Sequence, residues 1–366
     1  MTDLIESINV VPEPIPHTEI SDPSVMAIKP VVSVLMITYN HAPYIADSIE
    51  GVISQKTYFP IELIIGEDCS TDNTRNIVLD YQRRYPQLIR VIFSDRNVGA
   101  QRNSRRVLEA ARANYMAFCE GDDVWIDDRK LEKQISIMES EPDCSIVFHA
   151  AEIFREREGT VKISHYGSSI KNYSLDEVIL AHPYLMTSAS IMVRRALIEP
   201  VPRWVTDGEV GDYPLTVYCA SRGKVIYLPG VMSRYRAEVP GSWTVRSRGS
   251  EPRKKVVDSI LWMLNEFLRE TGNEAIEAVR NRQRKFIMMF LYLSKNEHPV
   301  LLEQDRLRYM SYLTWKDKLL IRLTRFYAPR RMVKLALEVR EYVRRRLSGR
   351  KVLTKGDSLA GPHDVG

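Results

Sequence analysis

The chain has 366 residues, 44% hydrophobic and 27% charged, the make-up of a globular protein with room for one large or two medium domains. Its formal net charge is +5, and its four cysteines stand singly, without metal-ligand spacing. The longest apolar run, Phe286 to Leu293, is far too short to span a bilayer. These features exclude a disulfide scaffold, a Cys/His metal module and a membrane-spanning protein, and they fit a reduced, cytoplasmic setting.

Residues 1–29 carry acids and prolines. They lack the basic start and apolar core of a secretory signal, and they read as a flexible leader. "VVSVLMITYN" then predicts a buried strand running into a polar loop. "PYIADSIEGVISQ" places Ile45, Ile49, Val52 and Ile53 on one helical face. "IELIIGED" predicts a second strand that ends in acids. "TDNTRNIVLDYQRRYP" predicts a helix capped by Thr71 or Asp72 and closed before Pro86. "IRVIFSD", "VGAQRNSRRVLEAARA" and "NYMAFCEGDD" supply a third strand, a third helix and a fourth strand. This alternation implies an α/β protein with a doubly wound, mostly parallel sheet.

Such sheets bind ligands at the carboxyl ends of their strands. The loops "TYN", "GEDCSTD", "DRNVG" and "EGDD" therefore share one rim, which is rich in acids. The turn "TYNHAPY" lacks GxGxxG, and the chain has neither GxxxxGK[ST] nor GxSxG before a helix. A dinucleotide fold of that type, a P-loop NTPase and a hydrolase elbow are thereby set aside. An acidic rim suits a hard divalent cation, Mg²⁺ or Mn²⁺, held by one or two carboxylates and by phosphate oxygens. Glu120 and Asp122, two residues apart at an extended strand end, would face one side and approach one cation, with Gly121 leaving room for a ligand. The bland reading of Asp122 and Asp123 is helix capping, a task that Asp127 or Asp128 can already perform.

Taken together, "VSVLMITYNHAPYIADSIEGVISQ", "ELIIGEDCSTDNT", "NVGAQRNSRRVLEAARANYMAFCEGDDVWIDDRKLEKQ" and "GDYPL" resemble a family 2 glycosyltransferase with a GT-A fold, of the bacterial surface-polysaccharide type. The resemblance runs from about Val31 to Trp243. It implies a nucleotide-diphospho-sugar donor, a divalent metal and inversion at the anomeric carbon. It also implies that Thr38, Tyr39 and Asn40 line the nucleotide pocket, that Asp68 meets the base, and that Asp122 with Glu120 holds the metal. By the same resemblance Asp212 of "GDYPL" is the catalytic base. Glu67 stands where many members have Asp, and Cys69 where many have Gly. In "YRAEVPGSW", Glu238 replaces a His that commonly contacts metal or diphosphate. Asp123, Glu238 and Glu67 are further site candidates. His149 and His182 read equally as acceptor-side or core residues, and Arg102 reads as a solvated helix residue.

After Trp243 the pattern is helical. From Lys316 to Lys351 there are 13 Lys or Arg against 3 Asp or Glu, a net +10. "RRMVKLALEVREYVRRR" sets Met332, Leu335, Ala336, Val339, Tyr342 and Val343 on one stripe, the composition of a helix lying on an anionic membrane. The expected organisation is a leader (1–29), a GT-A domain (30–245), a helical basic C-terminal region (246–350) and a flexible tail (351–366). The expected protein is a cytoplasmic transferase, peripheral on the inner face of the cell membrane, that transfers sugar to a saccharide acceptor and has no nucleic-acid partner. The rival readings are a nucleotidyltransferase and an inactive nucleotide-sugar-binding protein.

Overall fold

The computed structural model describes residues 17–164, 166–181, 185–240, 242–246, 250–293, 303–319 and 321. The chain divides into two compact units, residues 1–286 and 287–366.

The first unit is built on one sheet. Its strands are β1 (Thr18–Ile20), β2 (Val32–Thr38), β3 (Ile61–Glu67), β4 (Ile89–Phe93), β5 (Tyr115–Phe118), β6 (Val124–Trp125), β7 (Cys144–Arg155), β8 (Thr160–Ile163), β9 (Lys171–Tyr173), β10 (Met192–Arg194) and β11 (Lys224–Ala237). They lie in the order β1-β4-β3-β2-β5-β10-β7-β11-β6, with β8 beside β7 and β9 beside β11. The stretch β4-β3-β2-β5 is parallel throughout. Antiparallel β10 then separates it from the parallel pair β7 and β11. The chain leaves β2 toward β3 and β4 on one side and returns to β5 on the other. The crevice between the ends of β2 and β5 is therefore the topological switch point, where such sheets bind ligands.

Alternation along the strands explains why both faces are covered. Val34 and Met36 of β2, with Leu63 and Ile65 of β3, join a core that includes Ile45 and Ile49 of the helix Ile45–Ile53. Leu35 and Ile64 face the opposite core, beside Val107 of the helix Ala100–Ala110. Strands buried on both faces read as continuous apolar runs. Each fully buried aliphatic side chain contributes about 1.5–3 kcal/mol.

The leader departs from expectation in its second half. Residues 18–20 form β1, antiparallel to β4, and Pro23–Ala27 form a short helix capped by the Asp22 carboxylate. Glu19 receives Arg90 through Nε at 2.8 Å and Nη2 at 3.1 Å. Arg112 donates to the carbonyls of Met26 and Val25 at 3.1 and 2.9 Å. These partners lie far along the chain, so no local periodicity announces the order.

The C-terminal region is helical as far as it is described, with helices Ser250–Thr271, Ile276–Leu293 and Glu303–Ser311. In the second unit, Thr314 and Asp317 cap one another's backbone N–H at 3.3 and 3.0 Å and open a further helical turn. No helix of the described residues is long and apolar enough to cross a membrane. The basic stripe from Met332 to Val343 and the tail 351–366 lie outside the described residues.

Candidate active site

The rim at the switch point is assembled from four loops. After β2, Thr38 is buried, and its Oγ1 lies 3.3 Å from Nδ1 of His41. Asn40 has a left-handed backbone (φ 57°). Its N–H donates to Ser70 Oγ at 3.0 Å, and its side-chain oxygen accepts the Thr71 N–H at 2.8 Å. Asp72 ties the same loops together, accepting from Ala42 N–H at 3.1 Å and from Thr74 N–H at 2.9 Å. The helix itself begins at Thr74 with Asn73 as its N-cap and no side-chain cap bond, so the cap expected at Thr71 or Asp72 falls one or two residues early. Tyr39 is left exposed on the surface of this frame.

Glu67 and Asp68 turn inward. Glu67 is fully buried; it accepts Ser70 N–H at 2.7 Å and pairs with Arg75 Nε at 2.5 Å. One Asp68 oxygen accepts Val98 N–H at 2.9 Å, the other accepts Gly99 N–H at 2.9 Å, and Arg106 lies 3.4 Å away. Both acids thus hold the rim together from inside. The resemblance assigns Glu67 to the ligand site and Asp68 to the base, and in the structure the carboxylates of both already have protein donors.

Glu120, Gly121 and Asp122 follow β5 in a tight turn, closed by Asp123 N–H donating to Glu120 O at 3.0 Å. The extended geometry expected for this motif is therefore replaced by a turn. Gly121 has a clear steric reason, though a different one from ligand approach. A Cβ there would lie 2.6 Å from Thr38 Oγ1 and 3.0 Å from His41 Nδ1. The turn packs directly on the end of β2.

Burial, then the charges of Asp122 and Asp212, push the Glu120 carboxyl up to about 8, against a hydrogen bond from Ser188. Asp122 has His41 Nε2 at 3.8 Å from its Oδ2. Among the described residues, no Lys or Arg forms a salt bridge with the side chain of Glu120, Asp122 or Asp212. Asp123 serves another purpose. It is fully buried, its Oδ1 accepts Arg236 N–H at 3.0 Å, and its Oδ2 has no partner. Burial, with Asp122 and Glu120 nearby, raises its pKa well above the ordinary range. It braces the turn from behind and is not placed on the rim.

Arg236 locks the same turn. It donates to Asp122 O at 3.0 Å and to Asp47 Oδ2 at 2.8 Å, and its guanidinium lies 5.3 Å from the Tyr44 ring. Glu238 follows β11 with a left-handed backbone (φ 70°), part-buried.

Asp212 opens the helix Asp212–Arg222, with Gly211 as its N-cap. Burial raises its pKa, against backbone N–H bonds from Tyr213 and from itself. The side chain of Gln101 packs over Gly211, where a Cβ would lie 3.0 Å from Oε1. A shallow pocket beside Asp212 is walled by Val178, Met186, Tyr213 and Thr216. The electrostatic coupling of Asp212 to Glu120 shows that folding brings the two motifs together across about ninety residues of sequence.

His149 is buried, its Nδ1 2.8 Å from Ala150 O, and burial holds its pKa well below the ordinary range. It is a core residue. Arg102 is exposed, and His182 lies outside the described residues. Sequence reasoning missed His41, Ser188, Arg236 and Gln101. Only His41 carries a local signal, since it follows the "TYN" motif directly.

Among the described residues, no group of three or more His, Cys, Asp or Glu side chains is arranged to hold a metal ion. A site that takes one or two side chains, with water and phosphate completing the shell, remains compatible with the donors present. The carboxylates of Asp122 and Glu120, which among the described residues form no salt bridge with Lys or Arg, are oxygen donors that fit such a hard cation.

Residues 33–201 match the family model described as Glycosyl transferase family 2. An uncharacterized protein of Mycobacterium tuberculosis is 34% identical over 212 residues, which are 58% of this chain and 60% of that protein. The chain thus spans about 60% of the length of the curated relatives it matches first. The Bacillus subtilis glycosyltransferase TuaG, named for teichuronic acid biosynthesis, is 40% identical over 33% of this chain and 46% of its own length. The Escherichia coli enzyme WfgD, named as a UDP-Glc:alpha-D-GlcNAc-diphosphoundecaprenol beta-1,3-glucosyltransferase, is 37% identical over 30% of this chain and 41% of its own. Among solved structures, S. aureus TarS in complex with UDP-GlcNAc superposes with a TM-score of 0.57 at 16% identity, over 77% of this chain and 79% of that one. The sheet described above has the GT-A architecture, and residues 33–201 within it are those that match the family 2 glycosyltransferase model.

Proposed function

We propose that the chain is an inverting glycosyltransferase. It moves a sugar from a nucleotide-diphospho-sugar to a hydroxyl of a saccharide acceptor, in cell-surface polysaccharide biosynthesis. The observation that supports this reading is that Glu120, beside Asp122 after β5, feels the charge of Asp212 from a distant motif, while among the described residues no Lys or Arg forms a salt bridge with any of the three.

The roles follow from position. The loops at Thr38–Asn40 and Asp68 form the nucleotide side, with Asp68 fixing the loop that the nucleotide would meet. Asp122, with Glu120 beside it, would hold Mg²⁺ or Mn²⁺, which when bound neutralises charge on the departing diphosphate. Asp212 accepts the proton of the acceptor hydroxyl as that oxygen attacks the anomeric carbon from the face opposite the leaving group. The glycosidic C–O bond forms, the anomeric C–O bond to diphosphate breaks, and the proton ends on the Asp212 carboxylate. Its burial raises its proton affinity, which suits a base.

A nucleotidyltransferase would require a glycine-rich basic loop after β2, and "TYNHAPY" supplies neither property. An inactive binding protein would have no need to keep both Asp122 and Asp212. The reading extends to a peripheral position on the inner face of the cell membrane, with a lipid-linked acceptor like the one in the WfgD name. Supporting it, Trp315 and Leu319 are exposed four residues apart, just where the segment of net charge +10 begins. Replacing Asp122 with Asn tests the metal role by isothermal titration. Metal-dependent nucleotide binding should vanish, and unchanged binding would remove Asp122 from the site.

A further inference from the structure

The helix Ile276–Leu293 carries Arg282 into the core of the first unit. The residue is 2% exposed, and its Nε and Nη2 are buried with no hydrogen-bond partner. Its guanidinium carbon lies 4.3 Å from the centroid of the Phe286 ring and 5.1 Å from that of Tyr213. Tyr213 offers it a neutral phenol oxygen, while the Tyr213 hydroxyl donates to Ile179 O at 2.9 Å. The other buried arginines differ. Arg90 has Glu62 at 2.9 Å, Arg106 has Asp68 at 3.4 Å, and Arg236 has Asp47 at 2.8 Å. Among the described residues, no carboxylate pairs with Arg282.

A guanidinium cannot shed its charge to escape burial. Ring faces attract the cation but accept little hydrogen bonding, so two guanidinium nitrogens, with three N–H groups between them, remain unsatisfied. Such a fork matches a planar or tetrahedral oxyanion, which accepts two parallel bonds. Tyr213 connects this place to the candidate active site. It follows Asp212 in the chain, lines the pocket beside it, and stacks near the guanidinium.

We propose that Arg282 is the recognition group of an anion subsite on the acceptor side, binding a carboxylate or phosphate carried by the acceptor. That the anion belongs to an acceptor rests on the glycosyltransferase reading. The existence of the subsite does not.

The test uses the full chain with Arg282→Met and Arg282→Lys. Thermal unfolding is followed at fixed ionic strength, with and without inorganic phosphate. Without phosphate the Met variant should match or exceed the wild-type Tm, because the native guanidinium lacks a counter-charge. Phosphate should raise the wild-type Tm more than that of the Met variant. The difference between the proteins is the readout, since phosphate can also meet the donor side. A clear fall in Tm for the Met variant, with equal phosphate responses, would overturn the subsite by showing that Arg282 is satisfied internally.

Transfer is then compared for acceptors with one sugar and three appendages: a neutral alkyl chain, a uronic carboxylate, or a prenyl diphosphate. Wild type should prefer one anionic form, and the Met variant should lose that preference by about tenfold or more, with Lys intermediate because it lacks the bidentate fork. Which anionic form is preferred identifies the source. Equal preference in wild type and variant would overturn the acceptor role. If no acceptor is used by any form while the phosphate difference persists, the subsite stands and the transferase reading fails.

Discussion

The two ends of β3 and its neighbours carry acids in opposite circumstances. At the amino end, Glu62 is fully buried and fully answered. It takes Ser33 Oγ at 2.6 Å, Arg90 Nη1 at 2.9 Å and Arg112 Nε at 2.9 Å. Glu19 joins the same network through Arg90; burial opposes its ionisation, but the guanidinium holds its pKa below the ordinary value. At the carboxyl end, Glu120, Asp122 and Asp212 gather without a salt-bridged Lys or Arg among the described residues, and Glu120 is pushed up to about 8. A count of acids does not separate a scaffold from a site. The counter-charge does: Glu62, and on the rim Glu67 and Asp68, are closed by the protein's own arginines, whereas Glu120, Asp122 and Asp212 are left for a ligand to complete.

Breaking the closed end should have the largest effect on stability. Glu62→Gln leaves Arg90 and Arg112 facing a neutral amide, and the chain should lose about 3–5 kcal/mol in urea unfolding, the usual result of breaking a buried pair. A loss below 1 kcal/mol would mean that the network contributes little. Gly121→Ala probes the open end. Its Cβ would meet Thr38 Oγ1 at 2.6 Å and Thr38 Cβ at 2.8 Å, costing about 1–3 kcal/mol by overpacking. It should also disturb the carboxylates on either side, so metal-dependent nucleotide binding should weaken alongside stability. Normal binding in a destabilised variant would separate the turn from the site.

A third substitution sharpens the comparison by pH. Lys130 is buried near Trp125 and donates to Gln134 Oε1 at 2.7 Å. Burial brings its pKa down to about 7, against small opposing effects of Cys119 and Asp127. The folded state therefore binds fewer protons at this lysine than the unfolded state from about pH 7 up to the ordinary lysine range. Stability rises with pH across that window. Lys130→Met should be more stable than wild type near pH 7, with the gap narrowing toward pH 10 in parallel urea titrations. A constant gap would show that the lysine stays charged in the core.

Much of the open end was legible in the sequence. Apolar runs alternating with helical periods reveal β2 through β5, and the acids follow at predictable strand ends. The inward turn of Glu67 and Asp68 was not legible, because Arg75, Val98, Gly99 and Arg106 reach them only once the loops are folded. The same reason hid the order of residues 18–27, which depends on Arg90 and Arg112. The mixed half of the sheet was also obscure. β10 is three residues long, and β11 runs past bulges that break its alternation. Asp212 was found through a resemblance in "GDYPL". Its coupling to Glu120 became visible only in three dimensions.

The central claim is that the open acids perform sugar transfer, and its most direct test is a single comparison. Release of nucleoside diphosphate from a panel of labelled nucleotide sugars is followed with Mg²⁺ or Mn²⁺ for wild type and Asp212→Asn, with donor binding measured in parallel. Wild type should turn over one donor, and Asp212→Asn should bind that donor normally while its turnover drops by at least ~100-fold, the low end for loss of a general base. Equal turnover in the two proteins, or no donor bound by either, would contradict the account.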